Sequence, residues 1–248
     1  MANTIYDITF VVALSIDSDE RLRNYEYHKA YWKDAGVKVI YKEVDYNPNV
    51  PFHRTKLFNQ GIEEVTTTNV ALTDVDCIFD IDILNKSLLS VNERNAIIPF
   101  KKVKHIDVNH NVLFEWPNPP SMNKKTLDKY FYTGEFNSII DFENIKNPWF
   151  DFDGPTGLCF IVNTSAYKKC GMENENCIDY AFEDIERIVR VRKLGMNVTW
   201  LNEIGYHLHH SPQSRKRNKL FRNNFFEFLK ICDMETEEII SYINTWTK

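Results

Sequence analysis

The hydrophobic and polar positions of this chain change period repeatedly, and each change marks an element. Ile8 to Leu14, in "DITFVVALS", form a short run rich in β-branched residues, which predicts a buried strand ending in a polar loop. From about Glu20 to Ala35, Leu22, Tyr25, Ala30 and Trp32 recur near helical spacing, and Gly36 stops the helix. "VKVIYKEV" predicts a second strand, "FHRTKLFNQGIEEV" a second helix and "NVALTDVDCIF" a third strand. Strand, helix, strand, helix, strand is the grammar of a mostly parallel sheet flanked by helices, where ligands sit at the carboxyl ends of the strands.

The middle third breaks this rhythm. Residues 109–157 are rich in Pro, Asn and aromatic side chains, which predicts loops and short strands lining a cleft. "GLCFIVNTSAYKKCGM" then reads as a strand, a short helix and a Gly turn. In "YAFEDIERIVRVRKLGM", Phe182, Ile185, Ile188 and Val189 share a stripe, so a helix is expected up to Gly195. "NVTWLNEIGYHLHH" predicts one late strand, and residues 219–248 predict one or two amphipathic helices.

Composition narrows the class. A length of 248 residues, 43% hydrophobic, suits one large α/β domain with a substantial core. The net charge of −5 argues against a surface that tracks nucleic acid or an anionic membrane, so any anion site is local. No apolar run reaches the roughly 18–20 residues of a bilayer span, and no signal peptide is legible. Five cysteines without a C-x-x-C pair suggest neither a disulfide framework nor a zinc ribbon. A cytoplasmic protein is the expectation.

Four constellations carry candidate chemistry. Asp74 and Asp76 flank Val75 at the end of the third strand, where alternation aims both carboxylates to one side. Taken alone, a bare D-x-D reads more readily as a solvated turn, but the apolar strand before it delivers the pair to the ligand edge. Hard oxygens there suit Mg²⁺ or Mn²⁺ bridging a diphosphate. Asp80 and Asp82 read as turn or helix-cap residues. In "YHLHHSP", an extended backbone turns His207 and His209 to one face and His210 to the other. On its own the fragment suits a metal edge and a metal-free surface cluster equally; joined to an aspartate, the imidazoles favour Mn²⁺ over Mg²⁺, and zinc fits such a set too. Glu183, Asp184 and Glu186 open the late helix, where acidic groups complement the helix dipole and one facing a cleft can serve as a general base. Arg215, Lys216, Arg217, Lys219 and Arg222 follow the histidines, either as a solvated face or as a lid over a phosphate-bearing ligand.

In order and spacing, four segments resemble the β1,4-galactosyltransferase family, within the larger group of GT-A glycosyltransferases. They are "FHRTKLFNQG", "TDVD", "GMENENCIDYAFEDIE" with "RKLGM", and "HLHHSPQSRKRN", together spanning about 52–218. The resemblance implies a GT-A fold in a single Rossmann-like domain. A nucleotide-binding part would cover about 1–105, an acceptor and catalytic part about 106–218, and a helical tail about 219–248. It further implies an inverting transfer from a UDP-sugar to a glycan or glycoconjugate acceptor, with Mn²⁺, or Mg²⁺, at the diphosphate. Asp76, His207 and His209 would hold the metal, and Asp74 the ribose or the metal's water. Arg54, Asn59, Arg215 and Arg217 would face the donor. Asp184 would be the general base and Glu183 a hydrogen-bonding partner of a bound sugar, with Tyr180 and Trp149 left to contact the acceptor.

The chain also departs from that family. Its first-strand loop, "ALSIDSDERL", lacks the family's P-F-R-N-R arginines, so Ser15 and Asp17 are expected to meet uracil or ribose, as in the broader family 2 transferases. Ile178 and Tyr180 replace two tryptophans before the acidic block. No membrane anchor precedes the domain, which points to a bacterial or viral enzyme. The rival readings are a metal-dependent nucleotidyltransferase or phosphohydrolase, and a non-catalytic sugar-binding relative.

Overall fold

The computed structural model describes residues 4–115, 152–179, 181–210 and 220–246. Strand β1 (Ile8–Leu14) is buried along its whole length, as its unbroken apolar run requires of a central strand. It lies parallel to β2 (Lys38–Glu43) on one side and to β3 (Asn69–Thr73) on the other. Strand β8 (Cys159–Asn163) runs antiparallel to β3 and to β5 (Asn95–Ile98), and β9 (Asn197–Trp200) closes the order β2-β1-β3-β8-β5-β9.

Helices cover both faces, and strand alternation decides which. Val11, Leu72, Ile98 and Phe160 point to one side. There they meet Phe58 and Ile62 of α2 (Arg54–Glu63), Tyr167 of α4 (Thr164–Lys169) and Ile188 of α5 (Glu183–Lys193). Their neighbours Phe10, Ala71, Ile97 and Ile161 point to the other side, against Trp32 of α1 (Asp19–Asp34) and Leu84 and Leu88 of α3 (Ile81–Ser90). Phe10 and Trp32 lie 4.6 Å apart between ring centres, so truncating either to Ala costs about 3–5 kcal/mol. The tail folds as α6 (Phe221–Asp233) and α7 (Thr236–Ile243), whose Phe225, Phe228, Ile231, Ile239 and Ile243 pack on Val189 of α5.

A second, smaller sheet has the order β4-β10-β6-β7, from β4 (Cys77–Ile78), β6 (Lys102–Ile106), β7 (Val112–Glu115) and β10 (Ile204–Leu208). The single late strand expected from sequence is therefore two, β9 and β10, in different sheets. Glu203 N–H bonds to Leu201 O, and the amides of Lys101 and Lys102 both bond to Glu203 O, so the chain turns there without Gly or Pro to announce it. Helix α3, which the sequence reading passed over, begins just after Asp80, whose side chain makes no capping hydrogen bond, and has Asp82 in its first turn. Among the described residues no helix is long and apolar enough to cross a membrane.

Candidate active site

The chain leaves the large sheet at the end of β3 and joins the small one at β4, and Asp74 and Asp76 occupy that junction. Asp74 N–H extends the β3–β8 ladder to Leu158 O (2.9 Å), Cys77 N–H turns back to Asp74 O (3.1 Å), and Leu208 N–H ties β10 to Asp76 O (2.7 Å). Both carboxylates are thus fixed by backbone where the two sheets diverge.

Asp76 centres one cluster. Its carboxylate lies 3.5 Å from His207 Nε2, 3.2 Å from His210 Nε2 and 2.5 Å from a guanidinium nitrogen of Arg21. One donor atom each from Asp76, His207 and His210 falls within 4.8 Å of the other two. Burial pushes the Asp76 carboxyl up, but His207, His210 and Arg21 outweigh it and hold the group well below the usual carboxylate range. Burial lowers His207 below its ordinary value. An ionised carboxylate with a neutral imidazole is the protonation state a divalent cation needs, so the set fits such an ion. Behind His207, its cross-strand neighbour His105 stacks between it and Phe114, with ring centres 4.5 and 4.1 Å away.

Arg54 centres a second cluster. Its guanidinium reaches Asp74 at 2.7 Å, Asp184 at 3.0 Å and Glu183 at 3.2 Å, while its plane lies over Phe58 at 4.8 Å. Asp184 also meets Arg187 at 2.8 Å, and Arg187 forks onto Glu173 at 2.6 and 3.1 Å. These contacts separate two adjacent acids. Burial and the Asp184 charge push Glu183 up to about 7. Asp184 feels the same burial, but Arg54 and Arg187 hold it below its ordinary value. Asp184 keeps 18% of its side chain exposed against 3% for Glu183, so the ionised acid is also the accessible one. Asp74, between Asp76 and Asp184, is raised by burial and by both neighbours against the pull of Arg54.

The backbone that delivers the acidic pair is unusual. Asp179, Ala181 and Phe182 all have positive φ (67°, 116° and 66°), rare for residues with side chains and a frequent mark of functional turns. Asn224 of α6, fully buried, holds this turn: its amide donates to Ile178 O and Ala181 O, and its oxygen accepts from Ile178 N–H. Opposite Asp184 sits Gly157, where a Cβ would come within 2.6 Å of an Asp184 oxygen.

The expected residues divide accordingly. Asp76 and His207, both expected at the metal, lie close together, and the third group beside them is His210 rather than the expected His209. Regular strand geometry ends at Leu208, so alternation no longer governs position 210, and the His209 ring lies instead 6.4 Å from Phe114. Arg54 faces the acids of the site. Asn59 was expected on the donor side, yet its amide donates to Glu173 O and to Glu175, and its oxygen accepts from Glu173 N–H, so both polar atoms brace that segment. Ser15 and Asp17 lie just past β1, Asp17 accepting from the Ser18 hydroxyl at 3.2 Å. Trp149, Tyr180, Arg215 and Arg217 fall outside the described residues. Sequence reasoning missed Arg21, His105, Arg187 and Asn224. Arg187 carried a signal, since it stands three residues after Asp184 on a helix, but the others needed tertiary contacts.

A family model described as glycosyltransferase like family 2 matches residues 22–244. No curated protein matches the chain. Among solved structures, the catalytic domain of Drosophila β1,4-galactosyltransferase 7 in complex with xylobiose superposes with a TM-score of 0.52 at 16% identity, covering 89% of this chain and 78% of that one. A mutant of the same enzyme with manganese, UDP-Gal and xylobiose gives 0.51 at 15% identity, over 88% and 79%. GalNAc-T7 with UDP, GalNAc and Mn²⁺ gives 0.50 at 9% identity, over 95% of this chain and 49% of that one. Similarity at these identities establishes the α/β fold of GT-A glycosyltransferases.

Proposed function

The chain belongs to the glycosyltransferase-like family 2, and from that premise we propose that it moves a hexosyl or pentosyl group from a UDP-sugar to a hydroxyl of a glycan or glycoconjugate, with inversion at the anomeric carbon. The observation that carries this reading is the link made by Arg54: one guanidinium joins Asp74 at the strand end to Glu183 and Asp184 at the helix start. The strand end that carries Asp74 and the acidic pair at the helix start are therefore side by side. The ligands of the solved neighbours, manganese with UDP-Gal and Mn²⁺ with UDP, support the choice of donor and metal.

In this reading Asp76, His207 and His210 hold Mn²⁺, or Mg²⁺, and the bound ion supplies electrostatic stabilisation of the diphosphate leaving group. Asp184, kept ionised by Arg54 and Arg187, accepts the proton of the acceptor hydroxyl as that oxygen bonds to the anomeric carbon. The bond from that carbon to the diphosphate oxygen breaks with its electron pair leaving on UDP. Glu183, raised toward 7, is partly protonated near neutral pH and so can donate a hydrogen bond to a sugar oxygen as well as accept one. Tyr180 and Trp149 on the acceptor, with Ser15, Asp17, Arg215 and Arg217 on the donor, complete the proposal from sequence.

The test is a panel of UDP-sugars with Mn²⁺, scored for slow donor hydrolysis that releases UDP and free sugar. Asp184→Asn should lose about 10²–10⁴-fold in transfer with UDP binding retained. Release of phosphate or pyrophosphate without free sugar would replace this reading with a phosphohydrolase or nucleotidyltransferase.

A further inference from the structure

We propose that Arg21 is a built-in counter-cation for Asp76, yielding its place to a divalent ion only when the diphosphate of a donor arrives to receive the guanidinium. The inference rests on the donor-site reading above and adds to it a residue that no expectation from sequence included.

Local structure aims Arg21 at the site. Ser18 caps α1 by accepting from Arg21 N–H at 3.2 Å, which fixes the arginine backbone in the first helical turn. Its side chain, 14% exposed, passes Asp17 (Arg21 Nε 3.9 Å from Oδ1) and ends 2.5 Å from Asp76 Oδ2. His210 approaches the same oxygen at 3.2 Å. The guanidinium thus stands on the carboxylate that the two imidazoles share.

The helix itself is anchored. Arg21, Asn24 and His28 follow at spacings of three and four, so α1 turns a polar stripe inward where an amphipathic helix would present aliphatic residues. Asn24 Nδ2 donates to the carbonyls of Leu208 and His209 at 3.2 and 3.3 Å, and His28 Nδ1 meets the Tyr41 hydroxyl at 2.9 Å. These bonds tie α1 to β10 and β2, which leaves the long Arg21 side chain as the part able to move.

Charge gives the movement its condition. Asp76 and Arg21 stand as a close pair of opposite charges. A divalent ion added alone leaves a local excess of positive charge and repels the guanidinium at close range. The diphosphate of a nucleotide sugar supplies about two negative charges, that of free UDP nearly three, and paired phosphate oxygens suit a bidentate arginine fork. Ion and nucleotide therefore favour each other's binding through this side chain, and the coupling is reciprocal.

Calorimetric titration of the full chain with MnCl₂, alone and with saturating UDP, reads this directly without turnover. In the wild type, UDP should tighten Mn²⁺ binding by at least about tenfold. Arg21→Ala should bind Mn²⁺ alone about tenfold more tightly than the wild type, with the UDP coupling reduced by about that factor to the part made by direct attraction of ion and diphosphate. Arg21→Lys, which keeps the charge, should stay weak for Mn²⁺ alone. Unchanged or weaker Mn²⁺ binding by a folded Arg21→Ala protein overturns the counter-cation role, as does tight Mn²⁺ binding by Arg21→Lys. A wild type that binds no Mn²⁺ even with UDP overturns the donor-site reading itself.

Discussion

Replacing Arg54 with Met tests whether one guanidinium holds the acidic half of the site together. Methionine roughly keeps the length of the side chain and its contact with Phe58 while removing the charge. Each of the contacts at 2.7, 3.0 and 3.2 Å is worth about 5 kcal/mol of Coulomb energy at an effective dielectric near 20. Burying the guanidinium takes back several kcal/mol, and removing one partner of a buried pair typically costs about 3–5 kcal/mol. The loss should depend on pH, because three carboxylates deprived of their cation can be relieved by protons. In the wild type, the lowered Asp184 group contributes stability that is complete above its unfolded pKa of about 4 and fades below it. Without Arg54 that contribution shrinks to what Arg187 supplies. Asp74 and Glu183, which burial already raises above their ordinary values, rise further. Such groups favour the folded state most at low pH and cost stability as pH rises from about 4.5 through their folded pKa. Urea unfolding should therefore find Arg54→Met destabilised by about 1–2 kcal/mol at pH 5 and by about 3–5 kcal/mol at pH 8. An equal loss at both values, or one under about 1 kcal/mol at pH 8, would refute the bridging role.

Three further outcomes follow from particular contacts. His210→Ala should weaken Mn²⁺ binding by at least about 100-fold, beyond the 10–100-fold typical of an outer-shell partner, while His209→Ala leaves it within about threefold; calorimetry in the presence of UDP decides, and the reverse ranking restores His209. Gly157→Ala places a methyl group where the Asp184 carboxylate stands, so sugar transfer should fall by about 100-fold with a stability change within about 1–3 kcal/mol; undiminished transfer means Asp184 is not held there. Asn224→Ala strips the hydrogen bonds that hold residues 178–182, and thermal unfolding should show a loss of about 2–3 kcal/mol; a loss under about 0.5 kcal/mol would show that the turn holds itself.

How far the sequence discloses this molecule depends on how local each feature is. Buried strands such as β1 and β3 and the stripe of α5 are written in periodicity, because one face or a whole strand must be apolar to be buried. The Asp74 and Asp76 pair is equally legible, since a strand fixes both its direction and its end. The His209 expectation carried alternation past Leu208, the last residue of β10, where the period of a strand no longer assigns a side chain to a face. Arg21 escaped notice for a different reason: the buried positions of α1 are Asn24 and His28 as well as Trp32, so hydrophobic period located the helix but could not tell a solvated arginine from a buried one. Only the fold brings position 21 to position 76.

Two adjacent acids at one strand end present a stability problem before they present a catalytic one. Asp76 is nearly fully buried and Asp74 about two-thirds so, at a junction where carboxylates repel each other and desolvation penalises both. The protein answers each with its own arginine, from α1 to Asp76 and from α2 to Asp74, arriving from opposite faces of the large sheet. The two arginines are not equivalent. Arg54 is spread over three carboxylates and stacked on Phe58, so a ligand gains little by drawing it away. Arg21 is committed mainly to one carboxylate, with Asp17 at 3.9 Å as its weaker second partner. Arg54 is thus the shared cation around which the acidic pair is set, and Arg21 the one that the counter-cation proposal makes exchangeable.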